Sequence, residues 1–313
     1  VSFLTRLDGV ELAQVRFHLA FHAAYSFPRT ELLHLRRELL RAAHWAQEMG
    51  DPAAGAMLQL LDPAPPVDPV LRRRVQKPSP PFAFTLPAAE TIAGAAGAEF
   101  QLEVVLPGSP VQTTLLLAQL LTCLGTTGLF RVTGSFTLTA ISARGHDGIW
   151  ATCWCVDTSL DQLSMPLLNL RWLLEEQLDP EAGWLLRFVT PARLLSRGRP
   201  LFHLDSVSLA PFLLRRVTSV LATAAALDPW EDADALLMAM RHLETVANDL
   251  RWSDWRILDG EGGLVDLGGV VGTLQFQSLI SEEIQGLFYL ASLFNIGRGA
   301  SFGAGHFQLE RWT

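Results

Sequence analysis

The chain has 313 residues, room for two compact domains, and with 49% apolar and 18% charged residues it has enough apolar surface for a core in each, which excludes a largely disordered chain. Against 32 Asp and Glu stand 24 Lys and Arg, a net charge of −8 and the wrong sign for a protein that coats nucleic acid over its whole surface, so any RNA or DNA site is local. Cys123, Cys153 and Cys155 lack paired metal spacing, which speaks against a zinc-finger cluster and for a reduced, cytoplasmic protein.

Residues 14–25 alternate, with Val15, Phe17, Leu19 and Phe21 on one face and Arg16, His18 and His22 on the other, the pattern of a half-buried strand. Residues 29–47 run helically, with Leu32, Leu33, Leu39 and Leu40 toward the core and Arg36, Arg37 and Arg41 among the polar positions. Prolines then accumulate from 51 to 81 around the basic run 72–77, an irregular excursion. A short strand follows at 82–86 and a clear one at 99–106. Residues 111–124 read as a buried helix, not a membrane span, and 131–141 as a strand with Phe136, Leu138 and Ala140 inward.

The second half repeats this order without repeating the letters: a strand at 184–190, a helix at 206–227, strands near 249–257 and 263–277, a helix at 281–293 and a strand at 306–312. The expected fold is therefore α+β, two tandem ferredoxin-like (RRM-like) βαββαβ domains with antiparallel sheets, at residues 1–145 and 183–313, joined by a linker at 146–182. Helices on one face leave the other face of each sheet free, and function is expected there. The N-terminal segment has no apolar signal core, in keeping with a soluble intracellular protein.

The densest chemical signal is residues 294–310, FNIGRGASFGAGHFQLE, where Gly297, Gly299, Gly303 and Gly305 lie between a helix and the closing strand. Such spacing exposes backbone N–H groups and lets the chain pass close to a ligand. A dinucleotide fingerprint needs strand, glycines and helix in that order, and a Walker A loop needs Lys-Ser or Lys-Thr after the glycines, so neither fits. Two readings stay open, a flexible β-turn loop and an anion site, with Arg298 favouring the second. Lys77 is the only lysine; an arginine-based basic set suits bidentate phosphate and base contacts, although the codon bias of a GC-rich genome has the same effect.

The segment IGRGASFGAGHFQL resembles the C-terminal glycine-rich loop and strand of the RAMP-superfamily endoribonucleases that cut precursor CRISPR RNA within its repeats. LRWSDWRILDGEGGLVDLGGVVGTLQF is similar to that family's tryptophan and arginine segment and Gly-Gly strand, and PPFAFTLP, GAEFQLEVVLPG and LLTCLGTTGLFRVTGSFTL fit more loosely. The resemblance implies metal-independent cleavage by attack of the ribose 2′-OH on its own phosphate, with CRISPR repeat RNA and other CRISPR effector subunits as partners and no small-molecule cofactor.

It further implies a catalytic histidine in or just after the first helix, sometimes aided by a tyrosine and a lysine. His44, near that helix's end, is the first choice, with His34 and Tyr25 behind it and Lys77 more remote; for each histidine the competing reading is a solvated or core residue. RNA contacts are expected from Gly297, Arg298, Gly299, Ser301, Gly303 and Gly305, from Trp252 and Arg256, and from Arg36 and Arg37. His306 is a binding candidate. Two other readings stand beside this one: a catalytically inactive RAMP subunit that scaffolds CRISPR RNA, and a ferredoxin-like protein unrelated to RNA. Whether two copies pair is open, and no membrane partner is expected.

Overall fold

The computed structural model describes residues 3–130, 134–179, 182–254, 268–278 and 281–312, and the backbone of 256–258 and 264–266. In the first domain, strand β1 (Glu11–Phe21) leads to helix α1 (Leu35–Glu48), β2 (Ala83–Thr85), β3 (Glu99–Gly108), α2 (Pro110–Thr127), β4 (Phe136–Arg144) and β5 (Trp150–Cys155). The sheet order is β2-β3-β1-β4-β5, antiparallel throughout. Its first four strands have the ferredoxin-like order, with β1 central. Alternation in β1 buries Ala13, Val15, Phe17, Leu19 and Phe21 beneath α1 and α2. Helix α2 starts on Pro110, whose missing N–H costs nothing in the first turn, and stops at Gly128 with φ +82°.

Three expectations are corrected here. Residues 29–34 are a 3₁₀ turn entered from extended Pro28, and α1 begins only at Leu35, so Leu35 joins Leu32 and Leu39 in the core while Leu33 and Leu40 are only partly buried. A register shift between His18 and Leu19 displaces the inward set of β4 by one residue, so Ile141 is buried where Ala140 was expected; residues 131–133 of that predicted strand lie outside the described residues. Within the stretch expected as linker, β5 pairs with β4 and Leu168–Asn169 pairs with β1, so both belong to the first sheet.

The second domain runs β6 (Gly183–Ala192), α3 (Ser206–Ala225), β7 (Thr245–Asn248), β8 (Arg251–Ser253), β9 (Gly269–Phe276), α4 (Glu282–Phe294) and β10 (Phe307–Trp312). Its sheet order is β7-β9-β6-β10, with β8 also on β9, and the ferredoxin-like order recurs. The strand expected at 249–257 is broken. Gly272 (φ +112°) forms a bulge in β9, and a Cβ there would overlap the Asp249 carbonyl, so the partner chain splits into β7 and β8 opposite it. Helix α3 opens with a reciprocal capping box between Asp205 and Ser208, and α4 is capped by Ser281. By length and composition α3 also meets the requirement for a membrane span, but it lies against the core of this domain and carries the buried Arg216.

The outer face of the first sheet is not free. Val105, which points away from the core formed by Val104 and Leu106, is buried in the core of the second domain, and α3 packs against β3. Arg216 of α3 ties the halves together, donating from Nε to the Phe294 carbonyl (2.9 Å) and from Nη2 to the Phe82 carbonyl (3.4 Å). Exchange of aromatic side chains completes the seam: Phe3 stacks on Trp230 at 4.7 Å, and Phe302 sits in the first core against Phe82 and Phe84.

Candidate RNA-binding and cleavage site

The glycine-rich loop is the centre of this seam. Asn295 ends α4 at φ +59°, and its Nδ2 donates to the carbonyls of Phe84 and Ala300, both at 2.9 Å. That fixes its Oδ1 as acceptor, so the contact at 3.0 Å to His306 makes Nδ1 of that ring the protonated nitrogen and leaves Nε2 as an acceptor. Burial lowers the His306 pKa from 6.5 to about 4, with Glu103 of β3 pulling weakly the other way, so the ring is neutral at pH 7. Glu103 is itself held by Arg16 at 3.1 and 2.5 Å, and Arg16 lies 4.0 Å above the Trp150 ring.

The glycines serve close backbone packing. A Cβ at Gly305 would overlap the Ile296 carbonyl, one at Gly303 would meet Leu86 of the first domain, and both residues have positive φ. Loop N–H groups are used on protein carbonyls: Arg298 on Arg193 (2.9 Å), Phe302 on Gly299 (2.9 Å), Gly303 on Ala300 (3.2 Å) and Gly305 on Pro191 (2.9 Å). The expected backbone anion cradle is therefore not what these amides form. Ser301, Gly303 and Gly305 are buried, Gly297 is half-buried, and Arg298 and Gly299 face solvent.

Against the inner part of the loop, Ala300–Phe302, lies the 3₁₀ turn Arg29–His34. His34 closes that turn, half-buried, and is the residue from which α1 starts. His44 sits ten residues further on, exposed, about 15 Å along the axis at 1.5 Å per residue. The structure thus brings the turn that ends at His34 against the loop, while His44 lies ten residues further along the chain, exposed. Tyr25 is buried in the first core, 4.4 Å from the Phe21 ring and 6.1 Å from Phe27, and burial raises its pKa. It is a packing residue. Lys77 is exposed.

Arg36 and Arg37 are exposed on the first turn of α1. Arg37 and Arg41 also flank the buried Glu38 at 3.2 and 2.8 Å, and Glu38 accepts from the Phe130 amide, so part of this basic face is structural. His18 bridges Glu99 and Ser142, and His22 bridges Ser135 and Thr137. Trp252 packs on the second core and donates from Nε1 to Asp254 at 2.6 Å. Trp255 lies outside the described residues, and of Arg256 only the backbone is described. Sequence reasoning missed Asn295, Glu103 with Arg16, and Arg193; the sole cue was Asn295 at the helix end before the first loop glycine.

Residues 186–307 match the family model of the CRISPR-associated endoribonuclease Cas6. No curated sequence matches the chain significantly. Among solved structures the fold is similar to that of Thermus thermophilus Cas6 (TM-score 0.53, 15% identity, 96% of this chain and 99% of that one) and of a Cas6 product complex (0.54, 16%, 96% and 99%). It is also similar to a chain of a partial Cas6-RT-Cas1–Cas2 complex (0.53, 16%), where it covers 97% of this chain but only 46% of that one, so this chain spans less than half the length of that relative. The family match thus covers less than half of the chain, within the second domain, while the solved structures, at 15–16% identity, share the fold over nearly its whole length.

Proposed function

We propose that the protein is a metal-independent endoribonuclease that cleaves precursor CRISPR RNA within its repeats and keeps hold of the product for a CRISPR effector complex. In this reaction a base takes the proton of the ribose 2′-OH, O2′ attacks the adjacent phosphorus, and the bond to O5′ breaks as an acid protonates the leaving oxygen. The products are a 2′,3′-cyclic phosphate and a 5′-OH. The chemistry requires one group that exchanges protons near neutral pH and cationic groups beside the phosphorane.

The observation that carries the assignment of roles is the contact between the turn Arg29–His34 and the loop residues Ala300–Phe302. In this reading His34, which ends that turn, is the proton-transfer group, and the exposed Arg298 of the loop lies on the other side of the contact. Arg298 is then the phosphate ligand, supported by Arg36 and Arg37 on the first turn of α1. His44 becomes a distal residue. The buried loop glycines act indirectly, holding Arg298 and the 3₁₀ turn in one rigid arrangement, the preorganisation that proton transfer and in-line attack need.

The test is cleavage of a cognate repeat RNA in EDTA, beside the same RNA with a 2′-deoxy sugar at the scissile nucleotide. Cleavage of the first, with binding but no cleavage of the second, is expected. Binding of both without cleavage of either in EDTA or in added divalent metal makes the protein a CRISPR RNA scaffold.

A further inference from the structure

The last two residues before and after a small hairpin converge on one exposed aromatic surface. Leu195–Ser196 pairs with Arg199–Pro200, and the Leu201 amide donates to the Leu194 carbonyl at 2.9 Å. The ladder therefore puts Arg193 and Phe202 at the foot of the hairpin. Across the sheet, Ala192 pairs with Val270 and Val270 with Trp252, which brings Trp252 to the same place. Phe202 is 51% exposed and its ring lies 4.6 Å from Trp252, inclined at 55°. Arg193 approaches the Trp252 ring at 5.9 Å and donates from Nη1 to the Gly268 carbonyl at 3.2 Å.

We propose that Phe202 and Trp252, with Arg193 beside them, form a stacking platform for an unpaired nucleotide of the RNA next to the cleavage site. The half-exposed Phe202 ring, propped by the inclined Trp252 ring, offers a flat apolar face of the kind on which bases stack. Its surroundings select a polyanion: Arg197 and Arg199 on the hairpin and Arg251 on β8 are exposed, in a chain whose net charge is −8. Position links the platform to chemistry, because the Arg193 carbonyl accepts the Arg298 amide and the loop beyond Arg298 meets the turn that ends at His34. A strand tracking from Arg298 to the platform thus passes along directly touching residues. Stacking suits an unpaired base, since a base inside a duplex presents no free face.

This inference rests on the RNA-processing reading, and the experiment separates the two. Repeat RNAs carrying a single 2-aminopurine at successive unpaired positions are titrated with wild-type protein, Phe202→Ala and Phe202→Tyr. The platform predicts one position whose fluorescence is quenched on binding, loss of that quench with about tenfold weaker binding in Phe202→Ala, and retention of both in Phe202→Tyr. Unchanged affinity and quench in Phe202→Ala, or an equal loss of affinity for a repeat stem lacking unpaired nucleotides, overturns the platform while leaving RNA processing intact. Absence of any salt-dependent RNA binding by the wild type overturns both.

Discussion

The two domains share one strand order and use it differently. In the first, the outer sheet face is consumed internally, by Arg16 on Glu103, by His18 between Glu99 and Ser142, and by Val105 buried against the second domain. In the second, the segments beyond the strand ends project Arg193, Phe202 and Arg298, and the loop before β10 inserts Phe302 into the first core. An RRM-like fold does not by itself place function on the sheet face. Here the docking of one domain on the other closes that face and creates a seam, with the glycine loop and the turn ending at His34 along it.

That contrast breaks most severely at the inner glycines. Gly305→Ala is expected to cost about 3 kcal/mol or more, because it drives a Cβ into the Ile296 carbonyl at a positive φ. Gly299→Ala, whose Cβ meets only Ala304 at 3.4 Å, is expected to cost about 1 kcal/mol at its φ of +80°. Urea denaturation of the pair measures the difference, and equal losses contradict the division of the loop into a buried and an exposed part.

Next in size is the pH response of the seam. The His306 pKa is lowered from 6.5 to about 4 by burial, so the folded state disfavours its protonation. Its contribution to stability is complete above pH 6.5 and falls as pH drops toward 4, by roughly 2–3 kcal/mol. His306→Asn keeps a donor toward Asn295 but cannot titrate, and its stability is expected to fall less steeply than wild type between pH 6.5 and 4. Parallel curves from denaturation at each pH count against a buried neutral His306.

Smaller effects separate the seam from the sheet face. Arg298→Ala is expected to weaken repeat RNA binding about fivefold and to reduce the salt slope by about one phosphate contact, read by titration at several ionic strengths. His18→Gln, on the outer face of the first sheet, is expected to change RNA affinity less than twofold. A larger loss from His18→Gln than from Arg298→Ala reverses the comparison between the two surfaces.

Where an element's own residues determine its structure, it was legible from the letters. The alternation of β1, the apolar run of α2 and the closing strand β10 all appear where periodicity puts them. Bulges and breaks were not legible. The shift that exchanges Ala140 for Ile141 and the interruption opposite Gly272 depend on the neighbouring strand, and neither leaves a local mark. The glycine loop announced itself by composition, yet its burial depends on Leu86, Pro191 and Phe84, which chain topology alone brings near. His44 was preferred for its place near the end of the first helix; what the letters did not show is that Pro28 and a 3₁₀ turn move the start of α1 from the expected 29 to Leu35, so that His34 ends a turn packed on the glycine loop instead of lying inside a helix. Phe202 carried no periodic signal; a two-residue ladder in a short hairpin puts it beside Trp252.

The central claim is that catalysis belongs to the seam between the turn ending at His34 and the glycine loop. Single-turnover cleavage of the repeat RNA by His34→Ala and His44→Ala, with affinity measured in parallel, tests it most directly. The account predicts that His34→Ala slows cleavage about 10²–10⁴-fold at nearly unchanged affinity, the range for loss of a proton-transfer group, while His44→Ala stays within twofold of wild type. Full activity in His34→Ala, or its loss in His44→Ala, contradicts the account.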